Sequence, residues 1–128
     1  MEAKISMARS PLISIVDDDD SVRESIRSLI RSVGFRAEVF GSAEAFLNSD
    51  HLSHTDCLIL DVRMPGMTGL ELQRQLAMRN WQISIIFITA HDDGENRSRA
   101  LEAGAVDFLC KPFSEEALLK AVHSALKS

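Results

Sequence analysis

The chain has 128 residues, 45% of them hydrophobic and 26% charged, which fits one globular domain of the usual size of roughly 100–150 residues. Its 14 Lys and Arg against 19 Asp and Glu give a net charge of −5, which argues against direct binding of nucleic acid by this chain. The longest apolar stretch, around residues 83–88, is far shorter than the ~20 residues of a membrane span, and no signal peptide is evident, so we expect a cytoplasmic protein without membrane contact.

Short apolar runs alternate with helical patterns along the chain, five of each. The first strand, Leu12–Val16, precedes a helix whose apolar residues recur at helical spacing over 22–33 and which Gly34 ends. Ser21 and Glu24 have the spacing of a capping box at the start of this helix. The second strand, 35–40, alternates polar and apolar residues, as is typical of the edge of a sheet.

The third and fourth strands carry the most continuous apolar runs. They are predicted at 56–61 and 83–89, and their composition indicates burial on both faces of a sheet. The fifth strand is predicted at 106–110, and the remaining helices at 43–48, 69–79, 95–103 and 114–126. The fourth helix is unusually polar, with Ala100 and Leu101 as almost its whole apolar face. Cys57 and Cys110 lie in apolar stretches and are expected to be buried, reduced thiols.

Strands that alternate with helices predict right-handed crossovers and one parallel sheet covered on both faces. We therefore expect an α/β fold, a doubly wound, flavodoxin-like five-stranded parallel sheet with strand order 2-1-3-4-5. This order reverses between strands one and three. Ligands of such folds bind at that reversal, beyond the carboxyl ends of the strands.

Chemically useful side chains follow the strands at that edge: Asp17 and Asp18, Asp61, Thr89 and Lys111. Each is ordinary alone, as a solvated loop, a strand end or a surface lysine. Three crowded carboxylates repel one another unless a cation lies between them, and hard oxygen ligands suit Mg²⁺. The hydroxyl of Thr89 and the ammonium of Lys111 are donors for an anion, so the set predicts a phosphoryl group held there, with Asp61 as a reasonable acceptor.

Over about residues 12–128 the sequence resembles the receiver domains of bacterial two-component response regulators. The resemblance rests on residues 15–19 (IVDDD), 60–69 (LDVRMPGMTG), 88–90 (ITA) and 111–113 (KPF). Residues 40–47 and 103–109 are most similar to the nitrogen-fixation regulator subfamily, whose members usually carry a helix-turn-helix DNA-binding domain as well. The resemblance implies a receiver domain at 11–128, preceded by a flexible N-terminal extension at 1–10.

The resemblance also implies a metal site. It makes Asp61 the phosphoryl acceptor, and it makes Asp18, Asp61 and the backbone carbonyl of Arg63 the direct ligands of Mg²⁺, with Mn²⁺ as a substitute. Asp17 is implied to act through a metal-bound water. Many receivers have Asn or another small polar residue where Arg63 stands, so its side chain is expected to affect the lifetime of the phosphate rather than metal binding.

The resemblance further implies how the phosphoryl group arrives and is read out. The donor is a phosphohistidine of a sensor histidine kinase, and the chain assists its own phosphorylation and dephosphorylation without being an enzyme otherwise. Thr89, the backbone N–H of Ala90 and Lys111 bind the group, and the Lys111-Pro112 bond is cis in the family. Thr89 and Phe108, where Tyr is common, form a switch. This switch changes the face formed by helix 4, strand 5 and helix 5. That face then controls an output through homodimerisation or through a protein partner, and the output is usually transcription.

Three other functions remain as alternatives. Residues 18–22 (DDDSV) also fit the nucleophile motif of haloacid-dehalogenase-like phosphohydrolases, but that family needs a later acidic pair, for which only Glu115 and Glu116 remain, and it leaves Asp61 without a role. A flavodoxin-like module for a flavin or nucleotide phosphate needs a Gly, Ser and Thr loop where this chain has aspartates. The third alternative is a receiver fold that binds a protein without being phosphorylated.

Overall fold

The computed structural model describes residues 10–90 and 94–127, so the predicted extension at 1–10 lies outside the described residues except for Ser10. Each predicted strand and helix is present, with ends that differ by one or two residues at most. The strands are β1 (Leu12–Val16), β2 (Arg36–Phe40), β3 (Cys57–Asp61), β4 (Ser84–Thr89) and β5 (Asp107–Cys110), and the helices are α1 (Asp20–Ser32), α2 (Ala43–Leu47), α3 (Gly69–Met78), α4 (Gly94–Glu102) and α5 (Glu115–Lys127), with a 3-10 turn at Leu52–His54.

All five strands pair in parallel in the order β2-β1-β3-β4-β5, which confirms the predicted fold and strand order. β3 is buried along its whole length, whereas β2 lies at an edge and leaves Arg36 exposed. Because the strands run in one direction, their carboxyl ends meet at the same edge of the sheet. The residues that follow Val16, Leu60, Ile88 and Cys110 therefore gather there.

Helices cover both faces of the sheet. On one face, α1 and α5 pack through buried residues such as Ile30 and Val122. On the other, α2, α3 and α4 contribute Phe46, Leu72 and Ala100. Each large apolar side chain that is fully buried stabilises the fold by about 1.5–3 kcal/mol. Among the helices in the described part of the chain, none has the length and apolar character to cross a bilayer.

The start of α1 differs from the sequence prediction. Asp19 is the N-cap, and its carboxylate accepts hydrogen bonds from the backbone N–H groups of Ser21 and the next residue, so the predicted capping box of Ser21 and Glu24 is wrong. Ser21 already lies in the first turn, where its own N–H needs an acceptor, and a carboxylate there is favoured by the helix dipole. A complete capping box occurs instead at α3, between Thr68 and Glu71.

The polar helix α4 is lightly packed. Of its nine residues, all within the described ranges, Ala100 is the one that is buried, and its carbonyl accepts a 3.1 Å hydrogen bond from the side-chain amide of Gln73 on α3. Leu101, predicted to share the apolar face, is 41% exposed because it lies ~100° around the helix from Ala100.

The two cysteines are free thiols with different surroundings. Cys57 is fully buried, and burial, with a smaller contribution from the charge of Asp56, raises the pKa of its thiol to about 12. The prediction of a buried thiol outside any disulfide is thus confirmed for Cys57. The prediction of burial is wrong for Cys110, which is only half-buried because it ends the short edge strand β5.

Candidate functional site

Three carboxylates converge at the edge of the sheet where the strand order reverses. Asp17 follows β1 directly, Asp18 is next to it, and Asp61 is the last residue of β3. One carboxylate oxygen of each lies within 4.8 Å of the others. Asp17 is 0% and Asp61 5% exposed, whereas Asp18 faces solvent. Two of the three carboxylates are therefore buried, and the third is open to solvent.

Among the ion pairs of the described residues, those of Lys111 are the ones that reach this cluster. Its ammonium lies 2.9 Å from the Asp17 Oδ2 atom and 3.9 Å from the Asp61 Oδ2 atom. The second oxygen of Asp17 accepts a 2.9 Å hydrogen bond from the backbone N–H of Asp19. Asp17 is thus neutralised and fixed on both oxygens, while Asp61 has the lysine at a longer distance.

The environment of Asp61 disfavours its charged form. Burial is the main cause, and the neighbouring carboxylate of Asp17 adds to it; together they raise the pKa of Asp61 to about 6. Lys111 and a 3.4 Å hydrogen bond from the backbone N–H of Arg63 act in the opposite direction, and Asp18 has a small raising effect. The carboxylate of Asp61 is therefore ionised at neutral pH but incompletely compensated, and it attracts a cation.

Gly69, the first residue of α3, brings that helix into direct contact with the end of β3. Its N–H donates a 3.0 Å hydrogen bond to the carbonyl of Val62. A Cβ atom at this position would lie 2.2 Å from the backbone carbonyl oxygen of Asp61 and 3.1 Å from the ring of Phe87. Only glycine allows this approach, so the position of Asp61 depends on it.

Thr89 ends β4, and Lys111 directly follows β5 at the same edge. Thr89 is 1% exposed, and its carbonyl accepts a 2.7 Å hydrogen bond from the backbone N–H of Lys111. The Lys111-Pro112 bond is cis. Ala90 and Arg63 are exposed beside the site. All the residues predicted for the site thus lie at one edge of the sheet, except Phe108.

Phe108 lies inside the protein, below this edge. It is 2% exposed and packs against Phe87 with ring centroids 6.1 Å apart. Phe87 and Phe108 are register partners, and Thr89 is two residues beyond Phe87, so Thr89 and Phe108 share one face of the sheet. The guanidinium of Arg97 on α4 lies 5.1 Å from the centroid of the Phe108 ring. The ring of Phe108 therefore contacts β4 through Phe87 and α4 through Arg97.

The donor set fits a hard divalent cation. The three clustered groups are carboxylates, which are ligands that Mg²⁺ prefers, and the net negative charge of the cluster exceeds what Lys111 neutralises.

Sequence reasoning missed two residues that shape the site, Arg23 and Gly69. Arg23 donates a 2.6 Å hydrogen bond to the backbone carbonyl of Asp17, and the sequence carries no signal for such a contact.

Comparison with known proteins identifies relatives of the whole domain. The model of the response regulator receiver domain matches residues 13–123. The response regulator protein TodT of Pseudomonas putida is 53% identical over 119 residues, which cover 93% of this chain and 52% of TodT. The transcriptional regulatory protein FixJ of Azorhizobium caulinodans is 40% identical over 94% of this chain and 57% of its own length.

A solved structure of the response regulator StyR superposes with a TM-score of 0.86 at 50% identity, covering 92% of this chain and 60% of StyR. This chain therefore spans about half the length of the curated relatives that it matches.

Proposed function

Because this chain belongs to the response regulator receiver family, we propose that its site carries out the chemistry of a phosphorylation switch, with Asp61 as the phosphoryl acceptor. The observation that carries the proposal is the environment of Asp61. Its carboxylate is nearly buried, lies between two further carboxylates and Lys111, and has its pKa raised to about 6. A carboxylate that is ionised yet poorly compensated is a suitable nucleophile beside a bound cation.

Mg²⁺ would be held by Asp18, Asp61 and the backbone carbonyl of Arg63, with Asp17 acting through water, and Mn²⁺ is a substitute. The clustered carboxylates support this assignment. When bound, the cation neutralises negative charge on the phosphoryl oxygens. Lys111 contributes a second positive charge from the opposite side. Its ammonium is already 3.9 Å from Asp61, so a small displacement away from Asp17 brings it to a phosphoryl oxygen.

The phosphoryl group would come from a phosphohistidine of a sensor histidine kinase. A carboxylate oxygen of Asp61 forms the new bond to phosphorus, the phosphorus–nitrogen bond of the phosphohistidine breaks, and the imidazole leaves with the electron pair. The hydroxyl of Thr89, the backbone N–H of Ala90 and the ammonium of Lys111 bind the phosphoryl oxygens. Hydrolysis of the acyl phosphate by water returns Asp61 to its starting form. The chain would thus assist both its phosphorylation and its dephosphorylation, although a receiver is not a classical enzyme.

Readout would proceed from Thr89 through Phe108 to α4. Thr89 and Phe108 share a face of the sheet, and Arg97 of α4 covers the Phe108 ring. Movement of Thr89 towards a phosphoryl group opens space next to Phe108, and a change in the ring shifts α4, which is lightly packed. The face of α4, β5 and α5 would then bind a second copy or a partner and control transcription through a further domain, in the cytoplasm.

Intact-mass spectrometry tests the proposal. The chain is incubated with acetyl phosphate with and without Mg²⁺, and we expect it to gain the mass of one phosphoryl group only with the metal and to lose it at high pH. Asp61→Asn should gain nothing, whereas Asp50→Asn, an exposed control, should label normally. An unchanged wild-type mass would favour a receiver fold that binds partners without phosphorylation. Equal labelling of Asp61→Asn would show that another residue is the acceptor.

A further inference from the structure

The segment that carries two of the three clustered carboxylates is held by an arginine outside the cluster. The backbone of Asp17 is fixed in both directions: its N–H donates a 3.2 Å hydrogen bond to the carbonyl of Phe40, and its carbonyl accepts a 2.6 Å hydrogen bond from the guanidinium of Arg23. The carbonyl of Asp17 belongs to the peptide that joins it to Asp18. The contact with Arg23 therefore sets the orientation of the peptide on which Asp18 stands.

Arg23 is well placed to do this because it is itself constrained. It lies in the first turn of α1, its side chain is only 17% exposed, and its second nitrogen pairs with Asp20. The end of its guanidinium lies against Gly41, where a Cβ atom would be 3.4 Å away. An arginine fixed by a neighbouring carboxylate and by backbone contact presents its donor in one position, which a flexible surface arginine does not.

We propose that Arg23 is a positioning residue for divalent cation binding at the Asp17, Asp18 and Asp61 cluster. The inference rests on the proposed function, since it assumes that this cluster binds Mg²⁺. Asp18 is the exposed carboxylate of the three, and among the described residues it has no fixed partners such as those of Asp17. Its placement depends on the backbone before it. Arg23 contributes by holding that backbone, and it does not touch the cation.

If Arg23 acted only through its charge, its loss would change the affinity for Mg²⁺ in the opposite direction, which makes the inference testable. A positive charge near a cation site repels the cation, so an arginine that acted only through its charge would weaken Mg²⁺ binding. Removing that charge would then strengthen binding. If Arg23 acts by positioning, removing it weakens binding despite the gain in electrostatics. The two accounts therefore predict opposite signs for the same substitution.

Isothermal titration with Mg²⁺ in metal-free buffer measures this directly on the whole chain. We expect Arg23→Gln to bind Mg²⁺ about tenfold more weakly than wild type, the size typical for loss of a residue that supports a ligand. Arg23→Lys, which keeps the charge and one donor, should fall between them. Arg27→Gln is the matched control, because Arg27 lies one turn further along α1 and pairs with the exposed Glu24 at 3.6 Å. Its affinity should equal that of wild type.

Thermal unfolding without metal checks whether each variant is folded. If Arg23→Gln does not fold, the Mg²⁺ affinity of Arg23→Lys is compared with that of wild type instead. Binding by either folded Arg23 variant that is as tight as wild type, or tighter, would overturn the inference. Equal weakening in Arg27→Gln would overturn it too, because the effect would not be specific to the contact with Asp17. Absence of Mg²⁺ binding by wild type would contradict the proposed metal site itself, and the inference with it.

Discussion

Lys111 and Asp17, 94 residues apart in the sequence, form an ion pair of 2.9 Å at the edge of the sheet. The pair fastens the loop after β5 to the end of β1. It also places an ammonium group beside the cluster that is expected to bind a cation. The lysine is therefore both a structural partner of Asp17 and a group available to an anion.

Substitution of Lys111 should destabilise the chain in a way that metal reverses. Lys111→Gln leaves the buried carboxylate of Asp17 without its cation, at a cost of about 2 kcal/mol in the free energy of unfolding. Mg²⁺ supplies positive charge at the same place, so the loss should be smaller in Mg²⁺ than in EDTA. Thermal unfolding in both buffers measures this. Lys120→Gln, at an exposed position on α5, should show no such difference, and a loss for Lys111→Gln that is identical in both buffers would contradict the account.

Asp61 should make the stability of the metal-free chain depend on pH. Its pKa is 3.8 in the unfolded reference and about 6 in the folded chain, so the folded chain binds the proton more tightly. Protonation therefore favours folding, and this contribution is lost as pH rises from 3.8 through about 6. Asp61→Asn removes the cost of burying the charge.

We expect Asp61→Asn to unfold at a higher temperature than wild type at pH 7 in EDTA, with the difference shrinking towards pH 4. Unfolding midpoints measured across this range test the expectation. The exposed Asp50→Asn serves as the control and should follow wild type. A variant at position 61 that parallels wild type at every pH would show that Asp61 is not disfavoured in its charged form.

Gly69 should be essential for the position of the acceptor. Gly69→Ala brings a methyl group to 2.2 Å from the Asp61 carbonyl oxygen, a backbone atom that yields only if α3 or β3 shifts. Overpacking of this kind costs roughly 1–3 kcal/mol. We expect lower stability and slower labelling by acetyl phosphate.

Gly94→Ala is the matched control for this substitution. Gly94 also begins a helix, but a Cβ atom there would have no atom of the described residues within 4 Å, its chain neighbours aside. Its stability and labelling should remain at the wild-type level. Normal labelling of a folded Gly69→Ala would mean that the close approach of α3 does not set the geometry of Asp61.

Substitution of Phe108 should leave phosphorylation intact and weaken its readout. Phe108→Ala leaves a cavity and costs about 3–5 kcal/mol, so Phe108→Leu, with a smaller change in volume, accompanies it. Labelling of Asp61 should be unchanged in both, whereas any phosphorylation-dependent dimerisation, measured by sedimentation, should be weaker. Leu29→Ala, on the opposite face of the sheet, is the control for general destabilisation. Dimerisation equal to that of wild type in both Phe108 variants would remove Phe108 from the switch.

Much of the fold follows from patterns that the sequence displays locally. The apolar run of β3 reflects burial on both faces of the sheet, and the alternation in β2 reflects burial on one face. The parallel order of the strands then brings Asp17, Asp61 and Thr89 to one edge. Residues after strands can be read from sequence because every parallel strand ends on the same side.

What the sequence does not reveal depends on side-chain geometry. The cap of α1 could be Asp19 or Ser21, since both are good acceptors, and only the backbone path decides between them. The contact of Arg23 with a backbone carbonyl and the approach of Gly69 to Asp61 involve main-chain atoms, which every residue has. The contact of Arg23 with a carbonyl leaves no pattern in residue types, and the glycine at position 69 does not by itself show which atoms lie against it.

The central claim is that Asp61 carries the phosphoryl group, and chemical trapping tests it most directly. Borohydride reduces an aspartyl phosphate to homoserine, and peptide mass mapping then locates the product. After treatment with acetyl phosphate and Mg²⁺, we predict homoserine at position 61 and at no other aspartate, with none when the metal is omitted. Homoserine at Asp17 or Asp18, or its absence from a phosphorylated chain, would contradict the account.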